Sequence, residues 1–354
     1  MNTRSSAGAP LCAFLIFLLT STAAVFAQSS PRELVFLNWS EYINPELVEK
    51  FEQAHDVRIR QFYFESDDLR DDILLETDGA AYDLVVVNGA MVDTYRKRGW
   101  LAELREEQVP NLRHVDAYWL DAFDGVRGHA VPYFWGTLGI GFRADLVSTP
   151  PSSWMDLFKP AAEVQGKIAM VDSQRDAMGM ALKALGYSAN STDSRQIGEA
   201  MQLLLAQRPH VKTYAYLALN ENSALVSGDI VMAMLFSGDA LMLQEHHDGI
   251  RYVVPREGGN IWADYIAVMQ GSRNKTLAYA FIDFINEPEN AKQQAEYVYY
   301  ATPNKAAEKL LPAEFLEDPV IYPSEEVLAR SEAYKPLSPR AMKTRNTNFA
   351  RLNQ

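Results

Sequence analysis

Apolar positions recur with a period of two in some segments and near 3.6 in others, and the two rhythms take turns along most of the chain. Residues 34–38 make a strand-like run. Asn44-Pro45 then supplies a capping residue and a first-turn proline, and Leu47, Val48, Phe51 and Ala54 fall at helical spacing. Val57, Ile59 and Tyr63 alternate with polar residues, predicting a second strand. Residues 67–77 read as a helix, 82–87 (YDLVVV) as a buried parallel strand and 91–98 as another helix. A second set of the same kind begins where Ser152 starts the short helix SSWMDLF. Strands over 167–171 and 229–236 (DIVMAMLF), an amphipathic helix over 197–207 and a helix from 240 onward follow. Late helices are predicted over 276–286 and 291–299. Strands alternating with helices in this way predict an α/β protein. The Met-rich pieces at 178–180 and 232–242 suit the filling of core gaps.

Length and charge narrow the class. A chain of 354 residues, 48% hydrophobic, can bury a large core, and that length favours two domains. The net charge of −13 comes without any Lys/Arg run, which argues against a nucleic-acid partner. Residues 1–27 read as a signal peptide: Arg4 leads, 11–19 (LCAFLIFLL) is apolar, and Val25-Phe26-Ala27 suits cleavage. That apolar stretch is short for a membrane span. Cys12 is the single cysteine, so a chain cleaved after Ala27 has no disulfide, no thiol nucleophile and no cysteine metal site. An exported protein without disulfides fits a bacterial periplasm.

Candidate chemistry gathers where strands end. Trp39, Ser40, Glu41 and Tyr42 stand between the first strand and its helix. Two rings with a carboxylate between them suit a small organic cation, and serve equally as a core Trp beside a helix-start acid. The aromatic-plus-acid pairing returns at Trp262-Ala263-Asp264 and at Phe236-Ser237-Gly238-Asp239, and Tyr299-Tyr300 adds rings. Asp172 and Asp176 flank Arg175 after the strand at 167–171. Each pair alone is better explained by helix capping or core packing than by function. Their repetition across distant segments favours a binding site. Enzymatic readings are weaker: there is no GxSxG elbow, Walker loop or HExxH, and His246-His247-Asp248 reads as a solvated helix end rather than a metal site. The glycines of 135–141 (WGTLGIG) lack the GxGxxG order of a dinucleotide loop. No cofactor, metal or catalytic residue is expected.

With these residues in view, the chain resembles the bacterial periplasmic spermidine/putrescine-binding proteins, the substrate-binding subunits of polyamine ABC importers. The marks are NWSEYI at 38–43, YDLVV at 82–86, VPYFWGTLGIG at 131–141, MALKALGYSANSTD at 180–193, SGDI at 227–230, PREGGNIWADYIAV at 255–268 and YATPNKAA at 300–307. The resemblance implies a two-lobed periplasmic binding protein of type II with two crossing hinge segments at 135–141 and 258–266. Lobe 1 is expected over 28–138 and 264–309, and lobe 2 over 139–263 and 310–354. It further implies a linear polyamine held between the lobes and a monomer that docks on a membrane ABC permease or, alternatively, a membrane receptor. By the same resemblance, Trp39, Tyr42, Trp262 and Tyr300 are pocket rings, and Ser40 and Glu41 lie near one ligand end. Asp264, Asp239 and Asp176 hold amines, Phe236 stands where the family usually has Trp, and Asn88 is a further contact. The chain departs from the family at Asn88-Gly89-Ala90, where Ser or Thr followed by Tyr is common, and at Ser173, where some members have Asp.

Overall fold

The computed structural model describes residues 32–353, so the expected signal peptide at 1–27, including Cys12, lies outside the described residues. Nine strands pair into one sheet: β1 (Arg32–Trp39), β2 (Val57–Phe64), β3 (Leu84–Asn88), β4 (Ala130–Arg143), β5 (Ile168–Met170), β6 (Val211–Tyr214), β7 (Met232–Phe236), β8 (Ile250–Val253) and β9 (Asn260–Val268). Their spatial order is β2-β1-β3-β9-β4-β7-β5-β6, with β8 pairing on β4. Parallel pairs β1–β2 and β1–β3 build one half, and parallel pairs β5–β6 and β5–β7 the other. The antiparallel β4–β9 pair runs down the middle, from Ala130 opposite Ala267 to Leu138 opposite Asn260.

Apolar side chains separate into cores that divide along those halves. Phe36, Phe51, Val85, Tyr265 and Phe281 belong to the first. On the other side of the middle pair, β7 has a core on each face. Met232 and Met234 pack with Trp154, Met178 and Leu204, while Ala233 and Leu235 pack with Leu225 and Leu243. Burial on both faces is why DIVMAMLF carries no polar alternation. Strand β4 passes from one core to the other, with Phe134 in the first and Leu138 in the second. The two expected hinge segments fall largely within β4 and β9, which are hydrogen-bonded to each other.

One expected boundary shifts. Leu311, Phe315 and Ile321 pack in the first core, so the chain does not cross to lobe 2 at residue 310. It returns further on: Tyr334 and Leu352 pack in the second core. The C-terminal helix Pro339–Phe349 is fastened there by buried Arg345, which donates to the carbonyls of Ala189 at 2.8 Å and Ser191 at 2.6 Å. No helix among the described residues is long and apolar enough to cross a membrane.

Candidate functional site, a cleft of rings and buried acids

Strand ends deliver the site. At the end of β1, Glu41 adopts a left-handed backbone (φ 54°), and this turn leaves Trp39 and Tyr42 lining a cleft of about 710 Å³ while Glu41 stays outside it. The turn is held in place from behind. The Tyr42 carbonyl accepts from Tyr133 Oη at 2.9 Å and from Gln294 Nε2 at 3.1 Å, and Asn44 caps the helix Pro45–His55 through the Glu46 amide at 2.8 Å.

Strand β9 supplies the opposite wall. Side chains two residues apart share a face of a strand, and Asn260, Trp262 and Asp264 all reach the cleft. Gly136 lies opposite Trp262 in the β4–β9 ladder, and a Cβ there would come within 2.7 Å of Trp262 Cζ2. The missing side chain makes room for the indole. Trp262 meets Tyr300 edge-on at 4.7 Å and Phe236 at 6.0 Å, and Tyr42 meets Tyr300 at 5.8 Å. Trp39 approaches Tyr216 of the other half at 6.0 Å. Tyr300 follows a left-handed cap at Tyr299 (φ 55°), which ends the helix Pro288–Val298 and turns the chain into the cleft.

The acids come from helix starts as well as from β9. Asp67, Asp176 and Asp239 each stand in the first turn of a helix that follows a strand, and all three line the cleft. The partial positive charge of a helix N-terminus offsets a carboxylate placed there. Ser173 caps its helix by accepting from the Asp176 amide at 3.3 Å. Asp239, 2% exposed, accepts from Tyr300 Oη at 2.5 Å on one oxygen and from Tyr216 Oη at 2.8 Å on the other. Asp67 accepts from the fully buried Arg70 at 2.5 Å.

Desolvation dominates the electrostatics. Burial raises the Asp264 carboxyl to about 7, with nearby Asp67 adding to the rise and Arg70, Tyr42 and Trp39 opposing it. Burial likewise raises Asp239 to about 6 against its two phenol donors, and Asp176 to about 6 against the Ser173 hydroxyl. Three carboxyls that gain by losing their charge share one aromatic cleft, and a cation placed among them would reverse that preference. The Trp262 indole nitrogen is buried without a hydrogen-bond partner within the protein.

Nine of the eleven residues expected to touch the ligand therefore meet in one cavity: Trp39, Tyr42, Asn88, Asp176, Phe236, Asp239, Trp262, Asp264 and Tyr300. Asn88 accepts from the Ala90 amide at 3.1 Å through its side-chain oxygen, capping the helix Gly89–Lys97 at the edge of the cleft. Ser40 and Glu41 do not line the cleft. The Glu41 carboxylate is exposed and accepts from Tyr297 Oη at 3.0 Å on the outer side of the turn. Glu65, Asp67, Tyr216 and Tyr334 line the cleft without having been anticipated. The sequence marked Asp67 only as a helix start, and no periodicity marks the segment around Tyr334. His247 Nδ1 accepts from the Gly249 amide at 2.9 Å, as a helix end closing on itself.

The bacterial extracellular solute-binding protein family model matches residues 46–322. The spermidine/putrescine-binding periplasmic protein of Escherichia coli K12 is 34% identical over 301 residues, covering 84% of this chain and 85% of that protein. The norspermidine sensor of Vibrio cholerae is 31% identical over 318 residues, covering 89% and 87%. A solved spermidine/putrescine ABC transporter substrate-binding protein from Streptococcus pneumoniae, in complex with calcium and HEPES, superposes with a TM-score of 0.74 at 31% identity, covering 91% of this chain and 98% of that one. The two-lobed α/β architecture, the span of these matches and the identity across them place this chain in the bacterial extracellular solute-binding protein family, among the relatives of the spermidine/putrescine-binding proteins.

Proposed function

We propose that this protein binds a linear polyamine in the cleft between its lobes and delivers it, from the periplasm, to a membrane ABC permease. One observation carries the reading: Asp176, Asp239 and Asp264 are desolvated together in a cavity walled by Trp39, Tyr42, Trp262 and Tyr300. Ammonium groups satisfy the acids, and the rings cover the methylenes between them. Micromolar binding corresponds to about 8 kcal/mol. Two or three charge-assisted hydrogen bonds of about 2 kcal/mol each, with cation–π contacts of about 1–2 kcal/mol, reach that figure. Contacts from both halves of the molecule favour the closed arrangement, which is the shape a permease reads.

Titration calorimetry with putrescine, spermidine, norspermidine and spermine tests the reading. Saturable heat with at least one amine, and none with glutamate, supports it; no heat with any of the four contradicts it. Export through residues 1–27 is tested by fractionation, which should recover the protein from the periplasm. The norspermidine sensor among the relatives supports a second reading, in which the closed protein reports polyamine levels to a membrane receptor. Restoration of polyamine uptake in cells stripped of their own importer separates transport from sensing.

A further inference from the structure

The geometry points to Tyr334, backed by Arg175, as the stop that sets how long an amine the cleft accepts; this rests on the polyamine reading above. Tyr334 borders both the main cleft and a second, solvent-open pocket, so it stands between them. It is 6% exposed, and its phenol hydroxyl stands beside the Asp176 carboxyl, which it helps to hold in the charged form. The ring is seated on Gly179, where a Cβ would come within 2.8 Å of that hydroxyl. The Arg175 guanidinium lies 5.9 Å from the ring centre, and its Nη2 reaches Met91 Sδ at 3.5 Å. On the cleft side stands Asp176, the last acid before Tyr334. An ammonium bound there has the phenol ring beside it and the Arg175 guanidinium 5.9 Å from that ring's centre. One blocks by volume and the other by like charge.

Beyond Tyr334 there is room and one available acid. Ala90, Asp93, Asp124 and Glu332 border the second cavity, with the exposed Lys335 on its rim. Asp93 is already paired with Arg96 and Lys97, and Glu332 with Lys183. Asp124 has no ion pair among the described residues and is exposed. A chain one aminopropyl unit longer could place its last ammonium near Asp124, once the ring is gone. Ala90, a small side chain on the far wall, leaves that path open.

The test is the ratio of spermine to spermidine affinity, measured by calorimetry for the wild type, Tyr334→Ala, Tyr334→Phe and the double variant Tyr334→Ala/Arg175→Gln. Tyr334→Phe keeps the ring and should keep the wild-type ratio. Tyr334→Ala should raise the ratio about tenfold, the worth of one further charge-assisted hydrogen bond, and the double variant at least as much. A ratio within about twofold of wild type in the double variant overturns the stop while leaving the polyamine reading intact. If the wild type binds no polyamine, both fall. Should Tyr334→Ala lose its circular dichroism signature, Tyr334→Leu, which keeps apolar packing, takes its place with the same expectation.

Discussion

Tyr300 donates its phenol hydrogen to Asp239 at 2.5 Å, and the two residues belong to different halves of the molecule: Tyr300 packs in the first core, and the helix of Asp239 packs through Ala240 and Leu243 against Ala233 and Leu235 of β7. With the bond from Tyr216 on the other oxygen, Asp239 is held as a tie across the cleft. Tyr300→Phe leaves one buried carboxylate oxygen without its donor, at a cost of about 1–3 kcal/mol that falls on the closed arrangement. The expected outcome is a lower melting temperature and a larger radius of gyration by solution scattering without ligand. Scattering curves identical to wild type would count against the tie.

Acid should weaken binding while steadying the empty protein. The three carboxyls titrate near 4 when unfolded, and burial raises them to about 6, 6 and 7 when folded. A raised pKa in the folded state means that these groups favour folding fully below about pH 4, and that the contribution is lost as pH rises through 6 and 7. The melting temperature of the ligand-free protein should therefore gain from these groups on going from pH 7.5 to pH 5. A bound polyamine needs the ionised forms, so its affinity should fall over the same interval, and binding at pH 6.5 should release protons to buffer. Calorimetry in two buffers of different ionisation enthalpy reads that release. Proton uptake on binding would contradict the scheme.

Gly136 should not tolerate a methyl group. A Cβ there would meet Trp262 at 2.7 Å, Ser237 Oγ at 2.9 Å and Tyr300 Cδ1 at 3.1 Å, and the two rings are themselves packed against others. Gly136→Ala should cost about 1–3 kcal/mol of stability as overpacking does, and it should weaken polyamine binding by pushing the Trp262 indole into the cleft. Denaturant unfolding and calorimetry check the two effects together.

Glu41 should matter little. Its carboxylate is exposed and tied to Tyr297 outside the cleft, and an exposed polar pair of this kind is worth about 0–1 kcal/mol. Glu41→Gln is expected to hold polyamine affinity within about threefold of wild type. A loss beyond about thirtyfold would restore the place that the sequence suggested for it.

What could be read along the chain and what could not are separated by a physical divide. Apolar runs exposed the strands that end in Trp39 and Phe236, because a strand buried on both faces leaves little room for polar positions. Trp262 and Asp264 were legible as a pair because strand geometry sends residues two apart to one face. Glu41 misled because the sequence does not announce a left-handed turn at a non-glycine residue, and that turn decides which side its carboxylate takes. Tyr216 and Tyr334 were invisible because each reaches the cleft by tertiary packing from a segment of weak periodicity. The boundary at 310 failed for a similar reason: Leu311, Phe315 and Ile321 have no rhythm that tells which core they join.

Titration of the wild type and of Asp264→Asn with spermidine at pH 7.5 bears most directly on the central claim. The wild type should bind one spermidine at micromolar affinity or tighter. The Asn variant should bind about a hundredfold more weakly, the loss of roughly one strong charge-assisted hydrogen bond, while melting no lower than wild type because a buried charge has been removed. Equal affinity of the two proteins for spermidine would contradict the account.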